Sequence, residues 1–260
     1  MRATTLVLLW LCLPGLVWAD MACDGIDDSM ITAIVATNFL SATTGTLSLW
    51  YKPSGTPLGL SGPCYGAERV FVDFDAGEGT GAVGIHRGEV ASGDRVCATN
   101  YTTDEQMVET TYTTNAWTHL VWVHGGGNLS FFKDGVQVGS PVASGDSSAL
   151  TGPLRICLGD VASSGANPAQ GTVAEAAVFS STRSAQLIAN AAKSRLRRVA
   201  AGGASGYWPL TDCAYGSSGN GVTFRDRSLN GRHMTGSSGA NATGLTCQAS
   251  NYLMMPDGVE

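Results

Sequence analysis

Asp73, Asp75 and Glu78 are the residues whose types and spacing most suggest chemistry. Residues two apart on an extended strand share a face, so Asp73 and Asp75 can bring their carboxyls together. Paired carboxyls about 5 Å apart can serve as acid and nucleophile on a glycosidic bond. Clustered carboxylate oxygens also suit Ca²⁺, a hard cation. The local sequence argues against both uses. Asp73-Phe74-Asp75 runs into Ala76-Gly77-Glu78-Gly79, which reads as a turn, so Glu78 leaves the strand. A solvated hairpin tip is the plainer reading, and the three acids stay only as calcium candidates. Asp24, Asp27 and Asp28 form a second acidic cluster, where turn and capping duty is again expected.

Other reactive types point to structure rather than turnover. His86, His119, His124 and His233 show no nucleophile arrangement, and His119 reads as a packed strand residue between Trp117 and Val121. Gly125-Gly126-Gly127 is not a phosphate loop, because no helix or Lys-Ser/Thr follows it. No catalytic residue is assigned, and no cofactor is expected beyond the candidate Ca²⁺. Trp122, Tyr65, Tyr101, Tyr112 and Tyr215 are of a type that stacks on sugar rings. Asn100, Asn128 and Asn241 each open an Asn-x-Ser/Thr sequon. Asn128 falls at an expected hairpin tip and is the most accessible of them.

The start of the chain gives the context. Met1-Arg2, an apolar run from Leu6 to Val17, and Val17-Trp18-Ala19 read as a secretory signal spanning 1–19. The run is too short for a spanning helix, and Pro14-Gly15 interrupts it. The expected location is therefore extracellular, with no membrane span in the mature chain. Of seven cysteines, Cys12 leaves with the signal. The other six read as disulfides, with many pairings open. Cys64 and Cys97 flank one pair of expected strands, and Cys213 and Cys247 bracket a turn-rich tail. That leaves Cys23 with Cys157. A formal charge of −6 argues against a nucleic-acid partner.

The elements that must position these residues are strands. Trp117 to Gly139 alternates apolar runs with glycine or Asp-Gly punctuation. Asp134-Gly135 supplies two residues that tolerate positive φ, as a tight hairpin demands. Three antiparallel strands follow from that. Further strands are expected over 46–51, 69–74, 82–86, 95–100, 107–112, 154–158 and 172–179. Many short strands with Gly and Pro turns mean a sandwich or jelly roll. One segment, 184–199, carries Leu187, Ile188, Ala191, Ala192 and Leu196 on one stripe and is expected as a helix. A Ser or Thr at 180–182 can cap it. Ala200 to Gly206 reads as a linker.

These patterns resemble the concanavalin A-like lectin/glucanase superfamily in its LamG-like jelly-roll branch. Cys23-Asp24-Gly25-Ile26-Asp27-Asp28 resembles that branch's Phe-Asp-Gly-x-Asp-Asp strand, with Cys for Phe. Gly45 to Pro53 is similar to its Thr-Leu-Ser-x-Trp-x-Lys-Pro strand, and Trp117 to Gly139 to its Trp-x-His hairpin followed by Lys-Asp-Gly. Gly171 to Ala191 is similar to its closing strand and short helix. The likeness spans residues 22–195. Gly206-Tyr207-Trp208-Pro209-Leu210 and Asp226-Arg227-Ser228-Leu229-Asn230-Gly231 resemble an element that in many relatives precedes the opening strand. Either they start a truncated second copy or they fold back onto the one sandwich. The second is expected, held by Cys213–Cys247. Glycosidases of the superfamily carry Glu-x-Asp-x-x-Glu on one strand, and Asp73-Phe74-Asp75-Ala76-Gly77-Glu78 mimics that spacing with Asp in first place. Calcium occurs in relatives, but its ligands differ between branches, so none is transferred.

The resulting expectation is an all-β antiparallel jelly-roll sandwich over 20–200, with one C-terminal helix. A Gly/Ser-rich extension over 201–260 packs on it as a disulfide-tied tail. The expected function is a secreted, non-catalytic recognition module that binds glycans or an extracellular protein surface. A self-assembling surface, filament or virion component is the alternative, with a homo-oligomer as its form. A glycoside hydrolase is the second alternative.

Overall fold

A computed structural model describes residues 19–25, 28–55, 68–71, 83–90, 93–100, 106–145, 152–157, 169–193, 203–237 and 244–249. Two antiparallel sheets pack face to face. The first joins β10 (Val136–Ala143), β9 (Asn128–Lys133), β8 (Thr118–Gly125), β3 (Gly45–Pro53), β12 (Gln170–Phe179), β1 (Ala19–Asp24) and β16 (Thr246–Ala249) in that order. β13 (Gly206–Trp208) also pairs with β12. The second sheet runs β14 (Thr223–Phe224), β15 (Met234–Ser237), β2 (Ser29–Val35), β11 (Pro153–Ile156), β4 (Glu68–Phe71), β5 (Val83–Val90), β6 (Gly93–Asn100) and β7 (Gln106–Thr111). One helix, α1 (Ala185–Lys193), follows β12. The expected antiparallel sandwich is what the chain forms.

Turn chemistry explains the three-strand meander β8–β9–β10. Gly126 and Gly127 reverse the chain with φ of 62° and 72°, and Asp134 and Gly135 do so with 51° and 82°. Both pairs need the left-handed region that hairpin turns of two residues demand. Alternation then sends Leu120, Trp122 and Phe131 inward, where they meet Leu47, Leu49 and Tyr51 of β3. Trp122 lies wholly inside, and its indole N–H donates to Thr99 O of the second sheet at 2.9 Å. It is therefore a core bridge and not a sugar-stacking platform, which corrects the expectation for that residue. Its strand position has the same parity as Leu120, and that parity decides.

Arg87 is a second bridge. Its strand phase matches Val83 and Ile85, so it points between the sheets and is fully buried. Its guanidinium donates to Tyr112 OH at 2.6 Å, to Ser54 O and Gln170 O at 2.9 Å each, and to Gly55 O at 2.5 Å. Gln170 O also accepts from Tyr51 OH at 2.7 Å. One cation thus ties β5 to the ends of β3 and β12 in the opposite sheet. Burial pushes the Tyr112 hydroxyl up to about 12, against the opposing pull of Arg87.

The tail is part of both sheets. β13 and β16 extend the first, while β14 and β15 extend the second. The expected linker ends inside the fold: Ala204 is buried, and Ser205 N donates to Val178 O at 2.7 Å. Disulfides Cys23–Cys157 and Cys213–Cys247 are both formed. The first joins β1 of one sheet to the end of β11 in the other. Cys97 is also disulfide-bonded, while Cys64 lies outside the described residues. The helix starts one residue after Ser184, whose hydroxyl accepts from Leu187 N at 3.4 Å. Ser184, not a residue at 180–182, is the cap, because the helix begins at Ala185 and only the residue directly before it is placed to reach Leu187 N; Thr44 and Thr46 donate to Ser180 O and Ser181 O.

Two outcomes follow from these contacts. Arg87→Ala removes the donor to Ser54 O and Gly55 O, while Gln170 O keeps Tyr51 OH, each charge-assisted bond lost being worth about 1.5–3 kcal/mol. The thermal midpoint, read by circular dichroism, is expected to fall by roughly 6–12 °C; a shift under about 2 °C contradicts the bridge. His119 is fully buried, and desolvation lowers its pKa from 6.5 to about 4. Above pH 6.5 both folded and unfolded chains hold it neutral. Between 6.5 and 4 only the unfolded chain takes the proton, so stability falls as pH falls, by about 3 kcal/mol in all. Urea melts at pH 7 and pH 4 should show that part of the acid loss vanish in His119→Gln; an unchanged acid loss refutes it.

Candidate binding face

Alternation gives each sheet an outer face, and the two differ in kind. On the first sheet, β8 turns His119, Val121 and Val123 outward, β3 turns Ser48 and Trp50, and β12 turns Ala177 and Phe179. α1 covers this face. Ile188 packs with Val121, Val123 and Phe132, and Ala191 with Ala177, Phe179, Ala204 and Tyr207. Gly135 permits the close approach, since a Cβ there would sit 2.9 Å from Ala189 Cα.

Ser48 Oγ and His119 Nε2 lie 2.9 Å apart under the helix. A Ser–His pair can make a nucleophile, but this one is closed in. Ser48 is 3% and His119 0% exposed, and the adjoining cavity of about 20 Å³ has room for about one water. The His119 ring stacks near Trp50 with centroids 5.0 Å apart. A neutral, stacked, enclosed imidazole is a packing element.

The second sheet turns polar groups outward. Val96, Ala98 and Val108 enter the core, so Arg95, Cys97, Thr99 and Glu109 face away from it. Register sets His86 beside Cys97 and Cys97 beside Glu109. On β11, Leu154 and Ile156 are core, so Arg155 faces out, opposite Ile31. Thr235 lies on the other side of Ile31, with Thr223 next to it. Arg95, Arg155 and Glu109 are half-buried, and His86 is buried. Planar guanidinium donors, a carboxylate acceptor and hydroxyls spread across this sheet can match the donors and acceptors of a polar ligand. Cys97 was expected as a disulfide cysteine, while Arg95, Glu109 and Arg155 entered the sequence reading only as strand members and Thr223 and Thr235 only as part of the tail. The signal was there in β6 and β7, where Arg95 and Glu109 fall out of phase with the apolar positions.

The expected site residues scatter. Asp73, Asp75, Glu78, Asp27, Cys64, Tyr65, Tyr101 and Asn241 lie outside the described residues. Asp28 is buried, and its Oδ2 accepts from Asp24 N at 2.7 Å. The Asp24 and Asp28 carboxylates close on Gly244, where a Cβ would fall 2.5 and 2.6 Å from them. Among the described residues no group of three or more His, Cys, Asp or Glu is placed to hold a metal. Asn128 is exposed at the β8–β9 tip. Asn100 is 1% exposed, with its amide donating to Ser144 Oγ and Gly145 O. Of the candidate stacking aromatics described, Tyr215 is 66% exposed and Tyr112 leans on Arg87. No described helix is long and apolar enough to cross a membrane.

Comparison with known proteins follows the fold. No curated protein matches the chain. Among solved structures, a candidate carbohydrate-binding protein from Bacteroides ovatus ATCC 8483 superposes with a TM-score of 0.57 at 14% identity, over 90% of this chain and 61% of its own. This chain therefore spans less than two thirds of that protein. The heptameric SAP-like pentraxin from Limulus polyphemus superposes with a TM-score of 0.51 at 10% identity, over 68% of this chain and 82% of its own. These likenesses concern the fold alone. The family model of the laminin G type, described as concanavalin A-like lectin/glucanases, matches residues 24–189, well over half of the chain. With its two antiparallel sheets and its turns in the expected register, the chain belongs to the concanavalin A-like lectin/glucanase superfamily.

Proposed function

We propose that the chain is an exported, non-catalytic recognition module that binds glycans, or an extracellular protein surface, through the outer face of its second sheet. One observation carries this reading: the two outer faces differ in chemistry, the second setting half-buried charged side chains around the buried His86, Cys97 and Thr99. The first sheet gives its outer face to α1 and an apolar seal. The second keeps Arg95 and Glu109 half-buried on the adjacent β6 and β7, Arg155 half-buried on β11 across β4 and β5 from them, and Thr223 and Thr235 exposed on β14 and β15 at the other end of the sheet. A half-buried arginine or glutamate holds its geometry with little loss of side-chain freedom on binding, which favours affinity. Hydroxyl-rich ligands offer the matching donors and acceptors.

Export is supported by the signal-like start and by the formed disulfides, which persist in oxidising compartments. The absence of turnover is supported by the closure of the Ser48–His119 pair. The fold shared with the Bacteroides ovatus protein is consistent with glycan recognition and does not specify a sugar. The reading invokes no cofactor.

A glycan array probed with the purified chain tests it. Retention of at least one glycan class is expected, falling tenfold or more in Arg155→Ala and in Glu109→Gln, with thermal midpoints kept within about 3 °C of the parent. Retention that both variants leave untouched removes the second sheet as the binding face. Hydrolysis of any arrayed glycan overturns the non-catalytic reading.

A further inference from the structure

Leu229 departs from two rules at once. It is 96% exposed, more than any other large apolar side chain described. Its φ is 75°, in the left-handed region that leucine rarely adopts. Glycine would sit there without strain, and asparagine with little. A side chain almost wholly in solvent gains nothing from the fold in return.

The loop around it is firmly held. Asp226, 7% exposed, accepts from Tyr207 N at 2.9 Å, Ser228 N at 2.8 Å, Ser228 Oγ at 2.9 Å and Arg232 N at 3.0 Å. Asn230 Nδ2 donates to Ala204 O at 3.1 Å and Ser205 O at 3.2 Å. Bonds on both sides of residue 229 therefore fix it outward. Arginines flank it in sequence. Arg225 and Arg227 are exposed and Arg232 is half-buried, in a chain whose formal charge is −6. Arg227 also meets Asp212 at 3.2 Å.

We propose that the 225–233 loop is a protein-docking tip, in which Leu229 enters an apolar socket on a partner whose rim carries Asp and Glu carboxylates. A rigid apolar anchor has little ordering entropy to lose on binding. Flanking arginines give an acidic partner both steering and specificity. An anionic membrane would meet the same charges, but one leucine inserts too little apolar area to hold a protein there. A protein socket makes fuller use of a single anchor. This tip is separate from the sheet face proposed for recognition, so the fate of each can be read independently.

The test uses the full mature chain and three sets of immobilised peptides. Each peptide has a Leu-Leu-Phe centre flanked by Glu, by Lys or by Ser. Vesicles of phosphatidylcholine with and without phosphatidylserine form a fourth arm. The Glu set should retain the chain best, less so as salt is raised. Leu229→Gly should weaken that retention tenfold or more while its thermal midpoint stays equal or rises. Arg225→Ala should weaken it less and flatten its salt dependence. A Glu set no better than the Ser set overturns the proposal, as does undiminished binding by Leu229→Gly. A lowered midpoint in that variant also overturns it, because Leu229 would then serve the fold. Vesicle binding that depends on phosphatidylserine and on Leu229 replaces the protein partner with a membrane.

Discussion

One edge of β12 is divided between the two ends of the chain, and the rest of the structure depends on that division. β1 pairs with β12 from Gln170 to Val173, and β13 takes over from Ala176 to Val178. A β-bulge between Ala174 and Ala177 separates the two stretches. β16 then lies against β1, while β15 joins β2 in the opposite sheet. The tail therefore cannot leave without opening both sheets. Sulfur groups sit at the junction: Met21 Sδ is 3.4 Å from Cys213 Sγ and 3.9 Å from Cys247 Sγ. The Cys213–Cys247 bond limits the freedom of the unfolded tail, so short strands with little apolar area can still be held.

The same closure sets up the inequality of the faces. With β13 beside β12, Tyr207 and Ala204 complete the apolar bed on which Ala191 of α1 rests. That bed covers the outer face of the first sheet over β8, β9, β12 and β13. The second sheet gains β14 and β15 from the tail, and with them Thr223 and Thr235 next to Ile31 and Arg155. Closure also fixes the Asp226 loop, because Tyr207 N and Arg227 N–Tyr207 O bonds hold it to β13. Both proposed contact surfaces thus inherit their rigidity from the way the tail is built in.

Much of this was legible in the residues and some was not, for physical reasons. Gly126-Gly127 and Asp134-Gly135 announced the meander because positive φ leaves a sharp mark on composition. The helix was legible from the stripe of Leu187, Ile188 and Ala191, but its cap was displaced to Ser184. The helix begins at Ala185, so the residue directly before it, Ser184, is the one whose hydroxyl reaches Leu187 N. The strands of the tail hold two to four residues, too few for a periodic pattern, and their Gly and Ser read as loop. Trp122 was misread by residue type, although its phase with Leu120 placed it inside. Arg87 was hidden for the opposite reason: a charge in core phase looks like an interruption until its carbonyl partners, distant in sequence, are in view. The outward face of β6 and β7 could have been found by parity alone.

Hydrogen–deuterium exchange of the intact, oxidised chain tests the built-in tail most directly. If β13, β15 and β16 are integral, amides of Tyr207, Thr235 and Cys247 should exchange with protection similar to those of β2 and β12 and lose it in the same denaturant range. Fast exchange of the tail amides, with β2 and β12 still protected, would show an appendage on a sandwich that stands without it.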